Sequence, residues 1–438
     1  MAILVLVSAG KIKYKNIQIV GGIYVKKSKK LLWMLLSALV VLVLAACGGD
    51  NDSATDSGTK GDSGGSTDSN AREVIIGGLW DLTGGTSDVG APFAEGAEAY
   101  VGYINSKGIE GLNIKLIGKD YGYVIPEAQK LYQEHRDKAG VQAIIGFGTG
   151  DTEALRQQVA ADEFPCVSGS LSENLKDTKE SPYNYLVAAS YSDQGRALLK
   201  WIKDNHEGGE PTVALLYNDT AFGRSPVEDM KEYAKEIGVK VVDEQVIDVK
   251  ATEAQSQLLN MEKKNPDYAI IQQTWAATST ILRDAKTLGI DTQFMGLNWT
   301  TGEGLFDNVD AATAEGYMGV LINAMSGDDV PGMAEIEEYV TGKGKKMEDI
   351  NQKFVQGWAT AKIMVEGIKK AAELYPDGDI KGAQIREGLE SLTDLDLGGV
   401  AANVSYSADN HAGTKQIRIG VVKDGKWEAI TDYISFED

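Results

Sequence analysis

The chain has 438 residues, with 43 Lys and Arg against 64 Asp and Glu, a formal net charge of −21. That balance excludes a nucleic-acid ligand, whose binders carry basic patches, and adhesion of a globular body to anionic lipid. Two cysteines (Cys47 and Cys166) and three histidines (His135, His206 and His411) leave no clustered Cys/His metal site.

In chain order, the first pattern is a leader. Lys26, Lys27, Lys29 and Lys30 form a basic cluster, and Leu31 to Ala46 is apolar apart from Ser37. Sixteen residues are short for a membrane span, which needs about twenty. Basic cluster, short apolar core and small residues are the layout of a secretory signal. The stretch ends in Leu44-Ala45-Ala46-Cys47, which resembles a lipobox. This implies cleavage before Cys47 and a lipid on its sulfur. Residues 1–24 do not fit such a leader, and Val25, just after Gly21-Gly22, is the expected start of translation. Cleavage leaves 392 residues with 36 basic and 64 acidic side chains, a formal charge of −28, and Cys166 without a disulfide partner. From Gly48 to Asn70 only Ala54 interrupts a Gly, Ser, Thr, Asp, Asn and Lys run, so 47–71 reads as a disordered tether. Its reach is roughly 25–30 Å as a flexible coil. Within it, Gly61-Asp62-Ser63-Gly64-Gly65 spells a serine-protease motif, but no histidine base lies near and the match follows from composition.

Strands and helices then alternate. Val74–Trp80, Leu112–Ile117, Gln142–Gly146 and Pro165–Ser168 read as strands. Helices read from Pro92 to Ser106, from Pro126, and over Thr152–Ala161. The pattern restarts with helices at Gln194–Asp204, Pro226–Ile237, Thr252–Lys264 and Ser279–Leu288. Strands fall at Thr212–Tyr217, Val239–Ile247, Tyr268–Gln272, Gln293–Leu297 and Gly316–Ile322. Two such sets predict an α/β fold of two doubly wound parallel-sheet lobes. Long helices at about Gln352–Leu374 and Ile380–Ser391 follow. Strands Gln416–Val422 and Trp427–Thr431 close the chain around the turn Lys423-Asp424-Gly425-Lys426.

Val74-Ile75-Ile76-Gly77 followed by Leu82-Thr83-Gly84 resembles the opening strand and loop of the branched-chain amino-acid binding proteins, which have type I periplasmic binding folds. Glu95-Gly96-Ala97, Phe164-Pro165, Tyr217-Asn218-Asp219 with Phe222-Gly223, and Asn265-Pro266-Asp267-Tyr268 continue the resemblance in order to Val422-Lys423-Asp424-Gly425. It implies two lobes joined by three crossover segments, about 72–190 with 323–395 and 191–322 with 396–438. The ligand is expected at the carboxyl ends of the strands between them. It also implies a monomeric solute receptor on the extracellular face of the membrane, held there by its lipid only. Its partners would be an ABC permease and ATPase, with no cofactor and no catalysis.

By the same resemblance, Thr149 and Gly150 in the loop Gly146–Asp151 grip the ligand carboxylate, as a glycine-rich turn at a helix N-terminus favours an anion. Ser170 and Ser172 bind it through backbone and hydroxyl. Phe222, Trp275 and Trp299 supply rings over the ligand. Asn298 falls where amino-acid-specific members hold an acid for the ligand's ammonium, and Val89 where an aromatic ring is common. The expected ligand is therefore an aromatic or aliphatic acid without an amine. The alternative is a leucine-like amino acid whose ammonium meets Asp81, Asp88 or Asp151. Two other classes stay open at this point: an exported α/β hydrolase or oxidoreductase, and a receptor feeding a sensor. A nucleophile elbow would need a glycine where Glu173 stands.

Overall fold

The computed structural model describes residues 71–437. The expected leader 1–46, the lipidated Cys47 and the tether as far as Asn70 lie outside the described residues. Among those described, no helix is long and apolar enough to cross a membrane.

The first lobe is built on five parallel strands: β1 (Arg72–Trp80), β2 (Leu112–Asp120), β3 (Ala143–Gly146), β4 (Cys166–Ser168) and β5 (Asn184–Tyr185), in the order β2-β1-β3-β4-β5. Ile76 of β1 faces Leu116 of β2 on one side and Ala143 of β3 on the other. Strands covered on both faces read as unbroken apolar runs, which is why Val74–Trp80 and Ala143–Ile145 were legible. Helices α1 (Ser87–Lys107), α2 (Ile125–Glu134) and α3 (Thr149–Ala161) alternate with them.

Two of these helices begin earlier than their sequences suggest. Pro92 lies inside α1 rather than at its start. The turn before α1 is organised by Asp81, whose carboxylate accepts from the amides of Gly84 (2.5 Å) and Thr86 (2.8 Å) and from the Thr86 hydroxyl (2.7 Å). Those bonds fix the helix entry five residues ahead of the proline. Helix α3 starts at Thr149, directly off the glycine turn, and not at Thr152.

Helix α4 (Tyr191–Asn205) leads into the second lobe. Its parallel strands are β6 (Thr212–Tyr217), β7 (Lys240–Val246), β8 (Tyr268–Gln272), β9 (Gln293–Gly296) and β10 (Met318–Leu321). They alternate with α5 (Val227–Ile237), α6 (Gln255–Glu262) and α7 (Trp275–Leu288). After β10 the chain returns to the first lobe with α8 (Met333–Gly342), α9 (Gln352–Leu374) and α10 (Gly382–Glu390). Helix α9 crosses α1 at two glycines. A Cβ on Gly96 would lie 1.9 Å from the Phe354 carbonyl oxygen, and one on Gly357 1.9 Å from that of Phe93. Only glycine permits that approach.

The short hairpin β11 (Ser405–Ser407) and β12 (Asn410–Gly413) differs from expectation. It packs beside β5 of the first lobe and not within the second, because Tyr185 stacks on His411 at 4.0 Å and meets Tyr406 edge-on at 5.4 Å. The chain rejoins the second sheet at β13 (Arg418–Lys423) and β14 (Lys426–Ala429), giving the order β14-β13-β10-β9-β8-β6-β7. Asp424 and Gly425 make their turn with φ of 51° and 74°, the left-handed pair a two-residue hairpin loop requires.

Candidate ligand-binding site

The carboxyl ends of the two sheets face each other across a narrow pocket. From the first lobe, Thr86 and Val89 come off the entry of α1. Tyr123 comes from the turn after β2, and Phe147, Gly148 and Thr149 from the turn between β3 and α3. Tyr191 opens α4. The second lobe contributes Phe222, Thr274 and Trp299. Five of these ten residues are aromatic and none is charged.

Local geometry explains how the rings are aimed. Tyr123 has φ of 61°, following Gly122 at 59°. A tyrosine held in the left-handed region costs of order 1–3 kcal/mol and marks a position fixed by its surroundings. Trp299 donates from Nε1 to the Tyr191 hydroxyl at 2.8 Å and packs against Phe93 and Phe147, with centroids 6.2 and 5.4 Å away. Tyr191 meets Phe222 edge-on at 5.5 Å. The lobes touch through polar bonds as well. The Ala276 amide, in the first turn of α7, donates to Asp88 Oδ2 at 2.9 Å, and Ser225 Oγ lies 3.3 Å from Ser172 Oγ.

The expected site residues separate into three groups. Thr149, Phe222 and Trp299 line the cavity. Ser170, Ser172 and Gly150 stand behind its first wall. Ser170 Oγ donates to Thr149 Oγ1 at 2.9 Å and Ser172 Oγ to Glu153 Oε1 at 2.6 Å, while Gly150 faces Ile125 and Ala221. Trp275 and Asn298 stand behind the second. Trp275 does not end a strand; it opens α7. Its Nε1 donates to the Thr301 carbonyl at 2.7 Å and its ring lies on Gly304, so it forms no part of the cavity lining. Asn298 is fully buried, and neither its Oδ1 nor its Nδ2 has a partner. A buried amide left unpaired costs about 1–3 kcal/mol per group, so it stands ready for a polar ligand atom.

The acids divide too. Asp81 is satisfied by its own loop. Asp88 Oδ1 and Asp151 Oδ2 are buried with no partner. Asp151 sits in the first turn of α3, where the Tyr121 hydroxyl donates to its Oδ1 at 2.8 Å. Burial pushes its carboxyl up to about 7, and burial likewise raises Asp88.

The comparisons with known proteins follow this geometry. The model of the family described as periplasmic binding protein matches residues 73–426. The chain belongs to the periplasmic binding protein family. The crystal structure of a branched-chain amino-acid ABC transporter from Thermus thermophilus with bound valine is 25% identical. It covers 83% of this chain and 97% of its own, with a TM-score of 0.78. An ABC transporter substrate-binding protein from Aeropyrum pernix is 29% identical, over 83% of this chain and 96% of its own, with a TM-score of 0.76. The leucine-specific-binding protein of Salmonella typhimurium is 22% identical over 57% of this chain and 67% of its own length.

As a periplasmic binding protein with the type I fold, the chain is a solute-binding protein of the ABC-transporter kind, acting outside the cytoplasm. Sequence reasoning missed five of its cavity residues that carry rings or hydroxyls: Thr86, Tyr123, Phe147, Tyr191 and Thr274. Phe147 sits inside the quoted glycine turn, and Gly122-Tyr123 lies just before Pro126, so both carried a signal in their turn chemistry. Tyr191 and Thr274 carried none.

Proposed function

We propose that the protein is the lipid-anchored receptor of an ABC importer, tethered through Cys47. It captures a small carboxylate with an apolar body and passes it, as a monomer, to a permease and its ATPase. The observation carrying this reading is the cavity itself: five aromatic rings, three threonine hydroxyls and no charged side chain, with the N-terminus of α3 opening at Gly148 and Thr149. Rings take the apolar body, and the helix N-terminus takes the anion. The lobes proposed are 72–190 with 323–395 and 191–322 with 396–438, the last modified by the hairpin at 405–413.

A ligand without an ammonium fits a lining without acids. Burying an ammonium with no charged partner has the cost of a broken buried ion pair, about 3–5 kcal/mol, or roughly a hundred- to several-thousand-fold in affinity. The unpartnered oxygens of Asp88 and Asp151 favour a second reading, a leucine-like amino acid, for which the valine in the Thermus thermophilus protein is a parallel.

Native mass spectrometry of protein taken from the membrane fraction would report a lipid mass on Cys47 and any solute that co-purifies. Calorimetry with leucine, 4-methyl-2-oxopentanoate and benzoate then separates the ligand readings. Micromolar binding of an amine-free acid is the expected result. Leucine alone binding at that level moves the assignment to the amino acid, and a lipid-free membrane-fraction mass overturns the anchor.

A further inference from the structure

A fully buried lysine of the first lobe, packed behind the second wall, has no part in the reading above. Lys353, in the first turn of α9, is 0% exposed. Lysine is almost never fully buried without an anionic partner, yet no carboxylate pairs with this one among the described residues. Its Nζ donates to the Asn298 carbonyl at 2.6 Å and to Gln352 Oε1 at 2.9 Å. It also stands over two indole faces, 5.2 Å from the centroid of Trp299 and 5.6 Å from that of Trp275. Cation–π attraction of this kind strengthens when the amine is desolvated.

These contacts converge on one loop, Asn298–Thr301, which carries the cavity ring Trp299 and the unpartnered Asn298 amide. The loop has other anchors: the Tyr317 hydroxyl donates to Thr300 Oγ1 at 2.7 Å and Thr301 Oγ1 donates to the Val320 carbonyl at 3.0 Å. Gln194 Oε1 accepts from the Asn298 backbone N–H at 3.1 Å, Tyr191 accepts from Trp299, and Trp275 donates to Thr301. Lys353 is the only one of these groups that meets both the loop backbone and the ring face.

We propose that Lys353 is a positioning residue for solute capture, its amine holding the Asn298–Thr301 loop so that Trp299 forms the cavity wall with the Asn298 side chain behind it. The role rests on the solute-receptor reading of the cleft but on no particular ligand. It has a titration signature. Burial pushes the amine down to about 7, against Glu303 at the turn after the loop and Asp88 on α1, the two acids whose charge raises it. Between pH 6 and 8 the amine above Trp299 therefore gains or loses its charge, and the indole reports it.

The test is tryptophan fluorescence of the ligand-free full chain across pH 5 to 9, with Lys353→Met, Trp299→Phe and Trp275→Phe. Wild type is expected to show a transition near pH 7 that K353M abolishes and W299F or W275F each diminishes. Leucine or 4-methyl-2-oxopentanoate, whichever binds wild type, is expected to bind K353M at least tenfold more weakly, with a pH-independent affinity. Should K353M fail to fold, Lys353→Arg keeps the donors and the charge. It is expected to bind within a few-fold of wild type while losing the transition near pH 7. An unchanged transition in K353M or K353R, or unchanged solute affinity in a folded K353M, overturns the role. If neither solute binds wild type, the carboxylate reading fails on its own, and the fluorescence titration still decides Lys353.

Discussion

The two walls of the cleft treat their polar groups differently. In the first, the hydroxyls of Ser170 and Ser172 are bonded to Thr149 and Glu153, and Asp81 is saturated by its own loop. In the second, Asn298 and the Thr274 hydroxyl are buried without partners. A satisfied wall is rigid and stabilising. An unsatisfied wall costs folding energy in the absence of ligand and returns it on binding. The difference indicates that the first wall sets shape while the second discriminates between solutes. Asp88 on α1 is one exception in the first wall, and Asp151 is the other, a buried carboxylate with one oxygen free.

The second exception gives the largest expected effect. The folded-state carboxyl of Asp151 titrates at about 7, above its ordinary 3.8. The folded protein therefore binds a proton that the unfolded chain releases between those values. Asp151's contribution is fully present below pH 4 and is lost as pH rises through 7. Three units correspond to on the order of 4 kcal/mol. Asp151→Asn is expected to remove that part of the decline in a thermal-unfolding series from pH 4 to 8. A variant whose melting curve tracks wild type across the series would show the acid to be solvated or already paired.

Asn298→Leu comes next, and it separates stability from function. Both side chains branch at Cγ and have the same number of heavy atoms, and the substitution removes a buried amide with no partners. It is expected to raise stability by about 1–3 kcal/mol, since an apolar group avoids the desolvation penalty. Affinity for the calorimetric ligand is expected to fall by about a hundredfold, near 2.7 kcal/mol. Denaturant unfolding and calorimetry on one preparation read both. Lower stability would mean that Asn298 has a partner in solution, and unchanged affinity would remove it from the site.

How much of this was legible follows from the range of each interaction. The alternating strands and helices were readable because buried parallel strands are locally apolar and their helices locally periodic. The β13–β14 hairpin was readable from Asp424-Gly425. The two-residue β5 and the β11–β12 hairpin were not, because stacking of Tyr185 on His411 and Tyr406 joins positions more than 200 residues apart. The site was partly readable. Thr149, Phe222 and Trp299 fall where their turns point them. Trp275 does not, because the chain reverses at Gln273-Thr274 and Gly304 offers the ring a seat that no neighbouring residue announces. Lys353 looks like a solvated helix charge in sequence, and only the crossing of α9 over the second lobe's loop buries it.

The smallest expected effect tests the first wall directly. If Ser170 and Ser172 only brace Thr149 and Glu153, their loss should be felt in folding and hardly in binding. Ser170→Ala removes two buried hydrogen bonds, Ser170 Oγ to Thr149 Oγ1 at 2.9 Å and the longer one it accepts from the Ser172 amide at 3.4 Å, and frees a threonine hydroxyl that can turn to the cavity. The expected cost is about 1 kcal/mol of stability, with affinity within threefold of wild type. If the serine instead meets a ligand carboxylate, its hydroxyl makes a charge-assisted bond. Such bonds are roughly twice as strong as neutral ones, and affinity would fall tenfold or more at little further cost in stability. The two outcomes differ in the ratio of binding loss to folding loss. A large ratio would return the anion-gripping role to the first wall and reverse the division between the two.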